Sequence, residues 1–221
     1  MWLDRVRAWL RRKRRPSALD RFQQATAAQR RLIVGLGNAG ARYADTRHNL
    51  GFRCVDRLAE EMAADWEDAR PRADAFVAVG TFPDGVAVLL AKPRTFMNLS
   101  GHAVRDLVEA TGLALHQVLV VYDDMDLPLG ALRLRERGSP GTHNGMRSVV
   151  GELDSGAVPR LRIGIGQAGP RDARDYVLGG FRPDEAGLAE SAISAAAEAC
   201  RVWATQGAPA AMSAFNGVPS R

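Results

Sequence analysis

Apolar and polar positions along the chain alternate between two textures. Residues 32–36 form a short apolar run ending in glycines, which predicts a buried first strand. After a polar stretch, Phe52, Val55, Leu58, Ala59 and Met62 recur at helical spacing, with Thr46 or Asn49 placed to cap the helix. Residues 75–82 and 86–91 are β-type runs joined by Pro83-Asp84-Gly85, a turn sequence, and predict a hairpin. A helix over 99–111 stops at Gly112, and 117–122 reads as another buried strand. A carboxylate-rich loop, a strand near 131–135, a helix over 143–153 and a strand over 161–165 follow. An alanine-rich helix over 183–205 completes the pattern. Strands alternating with helices predict one α/β domain. Its sheet should be twisted and mixed, mostly parallel, with helices on both faces; the hairpin supplies the antiparallel part.

Composition adds bounds rather than detail. The chain has 221 residues, enough for one α/β domain with a sizeable core. No apolar run approaches the roughly 18 residues that span a bilayer, so no integral membrane association is expected. Cys54 and Cys200 are far apart and have no ligand or disulfide-framework spacing. A reducing, cytoplasmic setting is therefore the expectation.

Charge divides the chain unevenly. Of 30 Lys/Arg and 25 Asp/Glu, nine and two fall in residues 1–30, leaving 21 and 23 for the remainder. The net charge of +5 thus belongs to the extension and says little about what the domain binds. Within it, Trp2, Leu3, Val6, Trp9 and Leu10 share a helical face ahead of the basic run 11–15. No apolar core or cleavage site follows, so this is not a secretory signal. Residues 1–30 are expected to be a basic, poorly ordered extension, and 31–221 the domain.

Gly35-Leu36-Gly37-Asn38-Ala39-Gly40 matches the dinucleotide-binding spacing G-x-G-x-x-G. A dinucleotide site needs a helix opening within the glycines and an acid ending a second strand. Here a polar stretch follows, and the nearest acids, Asp56, Glu60 and Glu61, fall inside the next helical pattern. The glycines are read instead as a sharp turn that brings Asn38 to the strand's carboxyl end, where α/β proteins place ligands.

Of four histidines, His102 and His116 sit in ordinary helix and loop contexts, whereas His48 follows the glycine turn. Asp123 ends the apolar run 118–121, in the same layer as Asn38. A carboxylate there can hold an imidazole Nδ1–H and leave Nε2 as a base, with an unperturbed pKa of about 6.5 suited to activating water. Asp124 and Asp126 could join Asp123 around a metal, but the following Leu-Pro-Leu-Gly offers no further ligand, and no metal or other cofactor is expected. Asn38, Asn98 and Asn144, each in a glycine-bearing segment, offer uncharged amides able to grip a peptide bond or a water. Ser100 has no histidine directly beside it in sequence, His102 being two residues on in the same predicted helix, and reads as a helix cap rather than a nucleophile.

Six segments together carry a family resemblance. LIVGLGNAG at 32–40, Tyr43 with TRHNLGF at 46–52, KPRTFMNLSG at 92–101, VYDDMDLPLG at 121–130, GTHNG at 141–145 and RLRIGIG at 160–166 resemble the bacterial peptidyl-tRNA hydrolases. They arrive in family order and span nearly all of the chain after residue 30. The resemblance implies a metal-free esterase that acts on peptidyl-tRNA as a monomer. It implies His48 as general base, Asp123 as the carboxylate that holds it, and Asn38 as the residue that separates blocked from free aminoacyl-tRNA. Tyr43, Phe96, Met97, Asn98, His143 and Asn144 match positions that contact the terminal nucleotide or the peptide. Arg135 and Arg162 match tRNA-phosphate contacts, with Arg133, Arg137, Arg147 and Arg160 nearby.

Three departures stand out. The resemblance implies a turn that usually reads GNPG where this chain has Ala39, and usually a small residue or histidine where Pro140 stands; the basic extension is not a usual part of the family. The alternative is a non-catalytic RNA-binding relative of the splicing-factor kind, and behind it a dinucleotide-binding oxidoreductase. Residues 171–175, flanked by glycines and rich in charge, read as a flexible lid over the peptide side.

Overall fold

The first apolar run forms β1 (Arg30–Gly35), the middle strand of a seven-stranded sheet. The computed structural model describes residues 16–169 and 172–217. The remaining strands are β2 (Glu67–Asp68), β3 (Ala75–Thr81), β4 (Ala87–Pro93), β5 (Val118–Asp124), β6 (Leu132–Arg135) and β7 (Arg160–Gly164), in the spatial order β2-β3-β4-β1-β5-β7-β6. The sheet is mixed, as the sequence predicts. Its four inner strands β4, β1, β5 and β7 are parallel, while β2–β3, β3–β4 and β6–β7 pair antiparallel.

Helices cover both faces because alternate residues of the inner strands are apolar on both sides. On one face, Ile33, Leu119, Val121 and Ile163 pack against α2 (Leu50–Glu61), α6 (Pro183–Gln206) and α7 (Ala208–Phe215). On the other, Leu32, Val34 and Val120 pack against α1 (Ala18–Phe22), α3 (Ser100–Thr111) and α4 (Asn144–Glu152). Local signals set the helix ends. Pro183 opens α6, and Gly112, at φ 64°, closes α3 in the left-handed conformation that glycine adopts without strain. Among the described residues no helix is long and apolar enough to cross a membrane.

Three regions differ from the sequence reading. The extension does not stay apart from the domain up to residue 30. Ser17 caps α1 in a reciprocal pair with Asp20, and Ala18, Leu19 and Phe22 are buried in the second core. The Ala18 N–H donates to Glu67 at 2.9 Å, and Arg21 pairs with Glu67 at 2.8 Å. The net charge of residues 1–30 concealed these three apolar positions, which are too few to show a helical period. Trp2, Leu3, Val6, Trp9 and Leu10 lie outside the described residues.

Part of the expected lid is helical, as α5 (Ala173–Leu178). Asp172 caps it by accepting the Arg174 N–H at 2.8 Å, and the Tyr176 hydroxyl donates to the Ile165 carbonyl at 2.7 Å. Finally, α7 leads to Asn216, whose amide accepts from Leu134 N–H at 2.6 Å and donates to Leu134 C=O at 3.1 Å. That side chain occupies the outer edge of β6, where a further strand could otherwise pair.

Candidate active site

The site forms at the carboxyl ends of β1 and β5. The start of α2 lies against them through glycines: a Cβ on Gly51 would stand 2.3 Å from the Val121 carbonyl, and one on Gly35 would stand 2.2 Å from that of Gly51. The G-x-G-x-x-G segment opens no helix. It passes into a 3₁₀ turn (Ala41–Tyr43), and Gly37 lies against the Phe52 ring, leaving no helix N-terminus to take a pyrophosphate. A second 3₁₀ turn (Arg47–Asn49) carries His48 directly into α2.

His48 meets Asp123 as the sequence suggests. Its Nδ1 lies 2.8 and 3.0 Å from the two carboxylate oxygens, while its Nε2 makes no hydrogen bond among the described residues. A second histidine shares the carboxylate. His143 Nδ1 accepts the Met146 N–H at 3.1 Å, capping α4, so its proton must sit on Nε2, which donates to Asp123 Oδ1 at 3.1 Å. The imidazoles meet edge to face with centroids 5.0 Å apart, and the buried Tyr122 ring lies 4.6 Å from His143. Burial pushes the Tyr122 hydroxyl up to about 12, so it stays protonated. Burial alone would raise Asp123 too, but the charges and hydrogen bonds of His48 and His143 outweigh it and hold the carboxyl below the usual range.

Asn38 faces the same space in a fixed orientation. Its Oδ1 accepts the Met97 N–H at 3.1 Å, which leaves Nδ2 as its free group. These residues line a cleft of about 1160 Å³, together with Tyr43, Phe96, Asn98, Asn144, Arg135 and Arg162. The structure therefore brings every sequence-predicted site residue to one cavity. Phe96 is 61% exposed at the rim, and α5 supplies Ala173, Val177 and Leu178 to another wall.

Individual placements refine the sequence reading. Arg160, grouped there with the cationic residues, is buried and donates to the carbonyls of Val158, Gly138, Ser139 and Gly156 at 2.7–3.1 Å. Arg162 pairs with Asp124, and that bond keeps its guanidinium charged against the opposing effect of burial. Asp124 also accepts the Asp126 N–H at 2.8 Å, so the acidic loop is built from hydrogen bonds. His48, Asp123 and His143 are the one group of three metal-type donors among the described residues. Both imidazole nitrogens facing the carboxylate serve as its hydrogen-bond donors, and the Met146 N–H fixes the tautomer of His143. The set is thus built around protons where a cation would need lone pairs.

Two residues escaped the sequence reading. Arg47 is buried, pairs with Glu185 at 2.7 Å, and stacks on Tyr176 and Phe181. Asn49 turns its side chain back onto Asn38. Both stand beside His48 in sequence, and that adjacency was the available signal.

A carboxylate-held imidazole whose outer nitrogen opens on an amide-lined cleft has the geometry that suits a hydrolase acting through an activated water. The family model for peptidyl-tRNA hydrolase matches residues 32–221. A peptidyl-tRNA hydrolase from Chloroflexus aggregans is 50% identical over 187 residues, covering 84% of this chain and 98% of its own. One from Synechocystis sp. is 46% identical over 187 residues, covering 84% and 95%. The crystal structure of peptidyl-tRNA hydrolase from Acinetobacter baumannii matches with a TM-score of 0.81 at 33% identity, covering 89% of this chain and 100% of that one. The chain belongs to the peptidyl-tRNA hydrolase family.

Proposed function

We propose that this protein hydrolyses the ester bond of peptidyl-tRNA, or of N-blocked aminoacyl-tRNA, and releases free tRNA and peptide. The observation that carries the reading is the His48–Asp123 pair at 2.8 Å, with Nε2 at the cleft and without a hydrogen bond among the described residues. His48 Nε2 takes a proton from water as the oxygen attacks the ester carbonyl carbon. The tetrahedral intermediate then expels the ribose oxygen, which receives that proton back. Asp123 stabilises the imidazolium formed between these steps. The ester is already activated, so no step is routed through a metal, and the amide groups of the cleft suit the developing oxyanion.

The orientation of Asn38 supports a role in substrate choice. Its oxygen is engaged by Met97, so the side chain offers the substrate a donor. A blocked α-amino group brings a carbonyl oxygen to accept that hydrogen bond. A free α-ammonium brings only donors. Tyr43, Phe96, Met97, Asn98, His143 and Asn144 are assigned to the terminal nucleotide and peptide, and Arg135 and Arg162 to tRNA phosphate. In this role the protein recycles tRNA in the cytoplasm as a monomer; sedimentation at working concentration tests the last point.

The deciding experiment compares N-acetyl-aminoacyl-tRNA with its unblocked counterpart, in EDTA, using wild type and His48→Ala. Cleavage of the blocked substrate far faster than of the unblocked one, lost in the variant and indifferent to EDTA, is expected. Binding of tRNA without cleavage would assign the protein to the non-catalytic RNA binders instead.

A further inference from the structure

We infer that Asn49 is a positioning residue for substrate selection, holding Asn38 in register with His48. The inference rests on the hydrolase reading above and extends it to a residue outside the cleft wall. Asn49 is 3% exposed, and its amide addresses both main-chain groups of Asn38: Oδ1 accepts the Asn38 N–H at 2.8 Å, and Nδ2 donates to the Asn38 carbonyl at 3.0 Å. This two-point pairing crosses 11 positions of chain and fixes the peptide plane on each side of Asn38. With Oδ1 of Asn38 held by Met97, three of the residue's four hydrogen-bonding groups are engaged within the protein. Only Nδ2 remains for a ligand.

Asn49 is also covalently next to His48, and α2 behind it lies against β1 and β5 through Gly35 and Gly51. One buried amide therefore sets the distance between the base and the donor proposed to recognise the blocking group. The turn's own sequence leaves room for such a brace. A proline at position 39 would stiffen the turn by fixing φ. Ala39 leaves that torsion free, and the neighbouring Gly40 sits at φ 116°. The Asn49 amide supplies rigidity that the turn's own sequence lacks.

The test measures kcat/KM for N-acetyl-aminoacyl-tRNA and for unblocked aminoacyl-tRNA with wild type, Asn49→Ala and Asn49→Asp. Asn49→Asp keeps the shape and can still accept the Asn38 N–H, but it turns an acceptor toward the Asn38 carbonyl. Both variants should lower cleavage of the blocked substrate by about 10- to 100-fold, the scale of losing buried hydrogen bonds. Cleavage of the unblocked ester should change little, so the selectivity ratio falls. Ala39→Pro added to Asn49→Ala should restore part of that ratio, because among the described residues the Ala39 N–H makes no hydrogen bond that proline would remove. Circular dichroism and thermal melting verify that the variants are folded. Equal losses on both substrates, or no gain from Ala39→Pro in a folded protein, overturn the inference and leave the hydrolase reading standing. Failure of wild type to cleave either substrate overturns both.

Discussion

Arg47 and Glu185 form a 2.7 Å ion pair in which 2% and 11% of the side chains remain exposed. The guanidinium lies over the Tyr176 and Phe181 rings at 4.5 and 4.6 Å, and the Arg47 N–H donates to the Gly179 carbonyl at 3.0 Å. The turn that carries the base is thereby tied to the segment carrying α5 and to the first turn of α6. Glu185 has a second anchor, since it also accepts the Arg182 N–H at 2.8 Å. Removing either partner has unequal consequences. Glu185→Ala leaves a buried guanidinium without its counter-charge and should cost about 3–5 kcal/mol. Arg47→Met removes the charge while keeping apolar packing on both rings, and leaves a carboxylate that still has its backbone partner. It should cost less. Urea midpoints rank the two; the opposite order would mean that ring packing, not the ion pair, holds this joint.

Asp123 accepts from two imidazoles, so replacing it with an amide forces a conflict. His48 Nδ1 lies 2.8 and 3.0 Å from the two carboxylate oxygens, so in either orientation the NH₂ of Asn faces its N–H. If His48 yields, its proton moves to Nε2 and the base is lost. Asp123→Asn should therefore lower kcat by about 10⁴-fold, as an Asp-to-Asn swap does in a serine-protease triad. His48→Ala should cost about 10²–10⁴-fold. His143→Ala keeps the His48 tautomer and removes one hydrogen bond to the carboxylate, so about 10-fold is expected. Asp123→Asn retaining activity within about 10-fold of wild type would falsify the assigned tautomer.

The same carboxylate should make stability sensitive to acid. Its folded-state pKa lies below the ordinary 3.8, because the neighbouring histidines outweigh burial. The folded form then binds that proton more weakly than the unfolded chain does. The contribution is fully present above the unfolded value and is lost as pH falls through the folded one. Wild type should lose urea stability below about pH 4 with a component that Asp123→Asn lacks. Parallel decline of the two proteins across that range would show that other carboxylates dominate.

Much of this architecture was legible because the signals were local and periodic. The buried runs at β1 and β5, the turn at Pro83-Asp84-Gly85 and the stop at Gly112 each carry their cause within a few residues. The pairing of His48 with Asp123 was legible because His48 follows the glycine turn after β1 and Asp123 ends the apolar run of β5. The second partner, His143, was not, since its bond to Asp123 depends on α4 reaching β5 across 20 residues of chain. Arg160 defeated the reading for the opposite reason. Its type marks it as a surface cation, and only the fold reveals four carbonyls converging on it. Helices α1, α5 and α7 escaped because each is at most eight residues long, too short to display a helical period amid charged or small residues.

That contrast between arginines is itself testable. On the antiparallel pair β6–β7, Arg133 stands opposite Arg162 and Arg135 opposite Arg160. Arg135 is exposed at the cleft, Arg162 is pinned by Asp124, and Arg160 is consumed by the backbone. If phosphate contacts position tRNA, Arg135→Ala should weaken binding and flatten the slope of log affinity against log salt by about 1. Asp124→Asn removes the charge that competes for Arg162, and should strengthen binding at low salt while steepening the slope. Arg160→Ala should do neither to the folded protein, but should lower its thermal stability by removing the guanidinium from four carbonyls, of which that of Gly156 still accepts the Gly138 N–H. Affinity measured by filter binding over a salt series separates the three. A flattened slope for Arg160→Ala with unchanged stability would place that guanidinium on the tRNA rather than in the loop.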